Sequence, residues 1–289
     1  MSQKTLTSLL LVLPAAVLLA VLTVYPLGRG FGLSLFDTEY GFADARFVGA
    51  DNYVELLDDR FFLRAISNTV VFTLLATATE VAAGIGLALL VARAFPGRAI
   101  VIPLLVAPFV LSTMVVTAIW NAWFHLDYGY LNNLMRAVGL SGVPWLSDPD
   151  IALYALVLVD LWQTSPLVFL IILAGLQGID REINEAARMD GAGPWFILAT
   201  ITLPLLMPHI LLAALLRSIE SFKIFDKVYA MTGGGPGTAT ETLSMYLYRL
   251  GFRFFEVGMA SATAMIMVAI AGALAAVYAA SILRRSRHG

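Results

Sequence analysis

Glu185-Ala186-Ala187-Arg188-Met189-Asp190-Gly191, followed by Ile201-Thr202-Leu203-Pro204, is the stretch around which this 289-residue chain is organised. From Asp180 to Trp195 the sequence is a polar island between two long apolar runs, large enough to hold a helix of its own at a membrane surface. Ala186 and Ala187 allow close approach, Glu185 and Arg188 can pair with a partner, and Gly191 stands where a helix C-cap is expected. An ordinary amphipathic loop helix would share that local composition.

Composition names the solvent. The chain is 60% hydrophobic and 13% charged, against roughly 25% charged in soluble domains, so it reads as a polytopic all-α membrane protein. A net charge of −2, with no basic cluster interleaved with aromatics, gives no reason to expect nucleic acid. With no cysteine there is no disulfide framework and no thiolate chemistry. His125, His209 and His288 are too scattered to ligate a metal.

Windows able to cross about 30 Å of hydrocarbon, which takes roughly 20 helical residues, occur six times: Thr5–Gly28, Ser67–Ala92, Ala99–Phe124, Ile151–Gly178, Ile197–Leu216 and Val257–Leu283. The first is too long, and lacks a clear cleavage site, to read as a signal peptide. Long connections (29–66, 125–150, 217–256) alternate with short ones (93–98, 179–196), so they lie on opposite sides. The termini and short loops hold eight basic residues in 34 positions (Lys4, Arg93, Arg98, Arg181, Arg188, Arg284, Arg285, Arg287), and the long loops ten in 104. The denser side is cytoplasmic, which puts both termini and residues 185–204 there.

Several spans carry polar groups that need a reason. Glu80, in the second, must face the bundle interior, be protonated or find a partner; a helix–helix hydrogen bond near Thr77 and Gly84 and a solute contact are the two readings. Pro103 and Pro108 loosen the third midway, as a simple kink or as a broken helix lining a cavity, and Thr113, Thr117, Trp120 and Asn121 follow. The fourth contains Asp160-Leu161-Trp162-Gln163-Thr164-Ser165-Pro166-Leu167. Asp160 shares a face with Gln163 and Thr164, and carboxylate and amide groups beside an aromatic platform suit a sugar's hydroxyls and ring face. A polar clamp between helices is the other reading.

The spacing EAA-x3-G-x9-I-x-LP at 185–204 resembles the signature of permease subunits of bacterial ABC importers. Phe47-Val48-Gly49-Ala50-Asp51-Asn52-Tyr53 with Asn68-Thr69, and the run from Phe222 through Gly233-Gly234-Gly235-Pro236 to Phe252, narrow the likeness to carbohydrate importers of the maltose type. The glycine run lacks the following Lys-Ser/Thr of a phosphate-cradling loop.

The resemblance covers nearly the whole chain and implies a single transmembrane permease domain, 1–289, of the type I importer fold in the bacterial inner membrane. Its core helices would span 67–92, 99–124, 151–178, 197–222 and 257–283 after a first helix at 5–28, with a cytoplasmic coupling helix at 180–195. It implies substrate contacts at Phe109, Thr113, Asp160, Gln163, Thr164, Leu167, Arg217 and Ser221, and ATPase coupling at Glu185, Ala186, Ala187, Asp190 and Gly191. The implied partners are a second, homologous permease, two ATP-binding subunits, an extracytoplasmic solute-binding protein, membrane lipid and a carbohydrate-like solute delivered for ATP-driven import. ATP and magnesium belong to the ATPase; this subunit has no Walker motif, no catalytic residue and no cofactor or metal of its own.

Departures concern the solute. The maltose subunit has tyrosine, asparagine, glycine and serine where Phe109, Asp160, Thr164 and Arg217 stand, so the site is not assigned to maltose. Arg217 pairs with Asp160 in a neutral site, meets an anionic group on a modified sugar, or snorkels to the outer interface. The rival function is a proton-coupled secondary transporter using Glu80 and Asp160. A membrane-embedded hydrolase lacks a histidine or cysteine near the helix-four cluster.

Overall fold

The computed structural model describes residues 3–39 and 45–286; Arg287 and His288 lie outside them. In order, α1 spans Gln3–Leu33, strands β1 (Phe36–Asp37) and β2 (Arg46–Phe47) pair antiparallel, and α2 is Asp51–Asp58. Then follow α3 (Arg60–Val91), α4 (Arg98–Val110), α5 (Thr113–Phe124), α6 (Tyr130–Ala137), α7 (Ala152–Gln177), α8 (Arg181–Met189) and α9 (Pro194–Ile197). The chain ends with α10 (Leu203–Phe222), α11 (Asp226–Met231), α12 (Leu243–Arg249) and α13 (Val257–Ser286). Among the described residues, five helical stretches are long and apolar enough to cross a membrane, or six if α4 and α5 together make one span.

The chain divides into two compact units, one of Met1–Leu63 with Tyr246–Ile270 and one of Arg64–Met245 with Ala271–Gly289. In the first, the apolar residues of α1 from Val12 to Leu33 are exposed, as expected where lipid is the solvent. Asn52, at the start of α2, donates to the carbonyls of Ser34 and Phe36, and Tyr246 donates to Asp59. α2 is thus anchored by side-chain bonds to backbone that the strand pair leaves open.

The second unit holds the polar cluster. Its core is the contact of α3, α7 and α10, where Ala88, Val168, Phe169, Ile172, Leu206 and Ala213 are buried. Gly84 makes the α3–α7 approach possible: a Cβ there would lie 2.5 Å from Val168 Cγ1 and 2.9 Å from the Phe169 backbone nitrogen. Small residues at such crossings are the membrane solution to close helix packing. A second core joins α5 to α7 through Val116, Trp120, Phe124, Ala155 and Val159.

Besides the first helix, which runs from Gln3 to Leu33 and not over 5–28, four boundaries differ from those read in the sequence. The second span begins at Arg60, not 67, because charged Arg60 and Arg64 sit on a helix that continues past the apolar window. The third is two helices, α4 and α5, bent by 96°, with Leu111 and Ser112 extended between them; that is a break, beyond the kink prolines alone suggest. The fifth starts at Pro194, not 197, and passes through a π-helical turn at Leu198–Thr202 just before Pro204; its end at Phe222 is the one the resemblance implied, past the hydropathy limit at Leu216. A wider turn absorbs the proline's missing donor.

The fourth difference concerns the short helix of the 180–195 island. It closes at Met189, with Gly191 at φ +83°. The Gly191 N–H reaches the Arg188 carbonyl and the Ala192 N–H reaches that of Ala187, which is the Schellman closure.

Candidate functional site

The functional cluster starts from four ionisable side chains that hydropathy alone would have excluded from a membrane. Glu80 (α3), Asp160 (α7), Arg217 (α10) and Lys227 (α11) are all at most 5% exposed. Arg217 donates through Nε to Glu80 Oε2 at 2.5 Å and through Nη2 to Glu80 Oε1 at 3.2 Å, Asp160 Oδ2 at 3.1 Å and Ser221 Oγ at 3.3 Å. Lys227 Nζ donates to the other Asp160 oxygen. The Thr164 hydroxyl lies 2.8 Å from Glu80 Oε1 and 2.6 Å from the Asp160 carbonyl, so its single proton is shared between them.

This settles the geometry of three residues. Glu80 finds its partners on α7 and α10, not beside it at Thr77 and Gly84. Thr77 Oγ1 is instead buried without a hydrogen bond. Arg217 is inside, not snorkelling, and pairs with Glu80 as well as with Asp160. Burial of the four is tolerable because each charge is matched and hydrogen-bonded.

Beside the tetrad lies a cavity of about 690 Å³. Phe109, Thr113, Asp160, Gln163, Thr164, Leu167, Arg217 and Ser221 all line it, although they come from four helices and from as far apart as residues 109 and 221. The α4–α5 break shapes one wall. Gln163 Nε2 donates to the Leu111 carbonyl at 3.1 Å, replacing a helical bond that the break removes, while Gln163 Oε1 has no partner. Trp162 does not serve as the aromatic platform: it packs edge-on against Trp120, with ring centroids 5.8 Å apart. The aromatic side chains on the cavity are those of Phe109 and Phe225.

Lys227 is the residue the sequence reading passed over. Two carboxylates inside the spans need two cations, and Arg217 is only one. The nearest basic residues beyond it are Lys223, which pairs with Glu220 in an exposed bridge, and Lys227, so charge balance was the available signal. Thr117 and Asn121 are tied to the backbone at Met114 and Ala230. They hold α5 in place and do not line the cavity.

The residues that the resemblance implies for ATPase coupling form a separate group. On α8 and its C-terminal turn, Glu185, Ala186, Asp190 and Gly191 are exposed and Ala187 is half-buried. Among the described residues no group of histidines and carboxylates could hold a metal ion.

Residues 80–288 match the family of binding-protein-dependent transport system inner membrane components. The chain belongs to that family. As an inner membrane component it is a multi-pass protein of the bacterial inner membrane and a permease subunit. Over 274 residues, 94% of this chain and 89% of the relative, it is 39% identical to the sulfoquinovosyl glycerol transport system permease protein SmoG of Agrobacterium fabrum. It is 33% identical over 249 residues, 86% and 83% of the two chains, to the trehalose/maltose transport system permease protein MalF of Thermococcus litoralis.

The fold of an ABC importer permease is shared at lower identity. A crystal structure of a bacterial ABC transporter involved in the import of the acidic polysaccharide alginate superposes with a TM-score of 0.84 at 22% identity, covering 98% of this chain and 96% of that one. The same transporter type, in complex with an alginate pentasaccharide-bound periplasmic protein, gives 0.82, also at 22% identity, covering 96% and 93%.

Proposed function

We propose that the 690 Å³ cavity is the solute site of a sugar importer, and that this permease crosses the inner membrane six times with both termini cytoplasmic. In this reading residues 1–289 form a single transmembrane permease domain, with α4 and α5 counting as one broken span. What carries it is that the eight residues singled out beforehand converge on one cavity. Its hydroxyl, amide and cationic donors, set beside Phe109 and Phe225, are the groups a sugar's hydroxyls and ring face require, and the transport systems of the relatives are named for sulfoquinovosyl glycerol, trehalose and maltose.

Import would run by alternating access. An extracytoplasmic binding protein delivers the sugar, and the cavity is shared with or closed by a second, homologous permease. Two ATPase subunits, holding ATP and magnesium, drive the change. α8 is the element they would grip: it is short and exposed, ends at Met189 and is followed by Trp195, and these two residues are 88% and 80% exposed. Apolar side chains standing free at a polar surface fit a docking contact. Through the turn at Gly191 and through α9, motion of α8 is transmitted to α10, which carries Arg217 and Ser221, and through its other end to α7. The proton-coupled alternative is weakened by the ion pairs that occupy Glu80 and Asp160.

ATP-dependent uptake of labelled trehalose, maltose and lactose into vesicles carrying the assembled importer is the test. Gln163→Ala should lower uptake at least tenfold with assembly intact. Uptake that survives ATP depletion but collapses with a proton uncoupler would refute the reading.

A further inference from the structure

The cavity is bounded by charges that cancel one another before any solute arrives. Glu80 and Asp160 between them hold both Arg217 and Lys227, so each cation of the tetrad has a carboxylate partner. Lys223 is paired with Glu220 at 3.0 Å, and the remaining charged residue on the lining, Asp226, is acidic. No lining cation is left without a counter-ion.

An anion entering such a site loses its hydration and gains no uncommitted positive charge in exchange. It could reach Arg217 only through Nη1, on a guanidinium whose charge Glu80 and Asp160 already balance, unless it displaced Glu80, which is 0% exposed, and stranded that carboxylate in the interior. A hydroxyl group faces no such competition. Arg217 Nη1 makes no hydrogen bond among the described residues, so two N–H donors remain for a neutral acceptor.

We propose that the cavity takes an uncharged polyhydroxylated solute, in contrast to the system of SmoG, which is named for a sulfonated sugar glycoside, and that Glu80, buried behind the lining, is the residue that excludes anionic sugars by keeping Arg217 occupied. This rests on reading the cavity as the solute site. Glu80 acts here through Arg217 and is a positioning residue.

The experiment measures equilibrium binding to the assembled importer in lipid nanodiscs. Trehalose, maltose and lactose serve as neutral probes, and glucuronic acid and glucose 6-phosphate as anionic ones. At least one neutral probe should bind, with no competition from a hundredfold excess of either anion. Glu80→Gln should raise affinity for the anions at least tenfold, and the charge-balanced Glu80→Gln/Arg217→Gln pair should restore their exclusion.

Wild-type binding of an anionic probe as tight as that of any neutral one overturns the charge assignment and leaves the sugar-site reading standing. A Glu80→Gln complex that still excludes anions refutes the role of Glu80. If no probe of either kind binds while ATP hydrolysis is intact, the solute-site reading fails and takes this proposal with it. Should Glu80→Gln not assemble, the wild-type competition and the paired variant decide.

Discussion

Arg217→Met is the substitution that strains the cluster most, and its cost follows from who is left alone. Methionine keeps an unbranched apolar stem but removes the contacts to Glu80 at 2.5 and 3.2 Å and to Asp160 at 3.1 Å. Asp160 still has Lys227, whereas Glu80 keeps only the Thr164 hydroxyl. An uncompensated buried charge of this kind costs about 3–5 kcal/mol. Glu80→Gln in the same chain removes the stranded charge, and its amide oxygen can still accept from Thr164. The double variant should therefore regain about 2 kcal/mol or more, a coupling typical of residues in one network.

Thermal unfolding of the assembled complex reads this out. At roughly 2–4 °C per kcal/mol, Arg217→Met should lower Tm by about 6 °C or more, with the double variant recovering at least half of the loss. A single variant within about 2 °C of wild type, or a double variant less stable than the single, would refute the premise that Glu80 depends on Arg217.

Gly84→Ala should destabilise the α3–α7 contact by about 1–3 kcal/mol, since its Cβ meets Val168 and Phe169 below 3 Å; Gly86→Ala, which meets nothing within 4 Å, should be silent in the same melt. Gly191→Val places a β-branched residue at φ +83°, costing roughly 1–2 kcal/mol at that turn, and with Glu185→Lys should leave ATPase activity while cutting uptake per ATP hydrolysed. Burial, then the charges of Glu55, Glu39 and Asp37, raise the pKa of Glu256 above the usual 4.5. The folded state therefore holds this proton more tightly than the unfolded chain, so the group's contribution is present at acid pH and lost as pH rises through the raised value. Exchange protection of the Gly258 amide, bonded to the Thr38 carbonyl at 3.2 Å, should fall as pH rises above 4.5, and Glu256→Gln should flatten that dependence.

Much of this was legible in the chain, for identifiable reasons. Hydrocarbon admits few charged residues, so the apolar windows marked every long helix, and the polar island at 180–195 marked α8 with its Gly191 turn. The boundaries went wrong where hydropathy and helicity part company. Arg60, Arg64 and Arg217 lie on continuous helix, and a helix has no need to stop where its apolar face does. The α4–α5 break was only partly visible, since prolines signal a weak point but the bent geometry depends on Gln163, 52 residues away from Leu111, reaching the freed carbonyl.

By itself, then, the sequence determined the solvent, the helices and the helix-four face that carries Asp160, Gln163 and Thr164, because these follow from local composition and from periodicities of three and four residues. Tertiary structure decided the partners. That Glu80 meets Arg217 across 137 positions and that Asp160 takes Lys227 as its second cation depends on which helices pack together. That Trp162 turns to Trp120 and away from the cavity depends on it too. A buried charge requires a counter-charge, but the sequence alone does not state which one three-dimensional packing will bring within 3 Å.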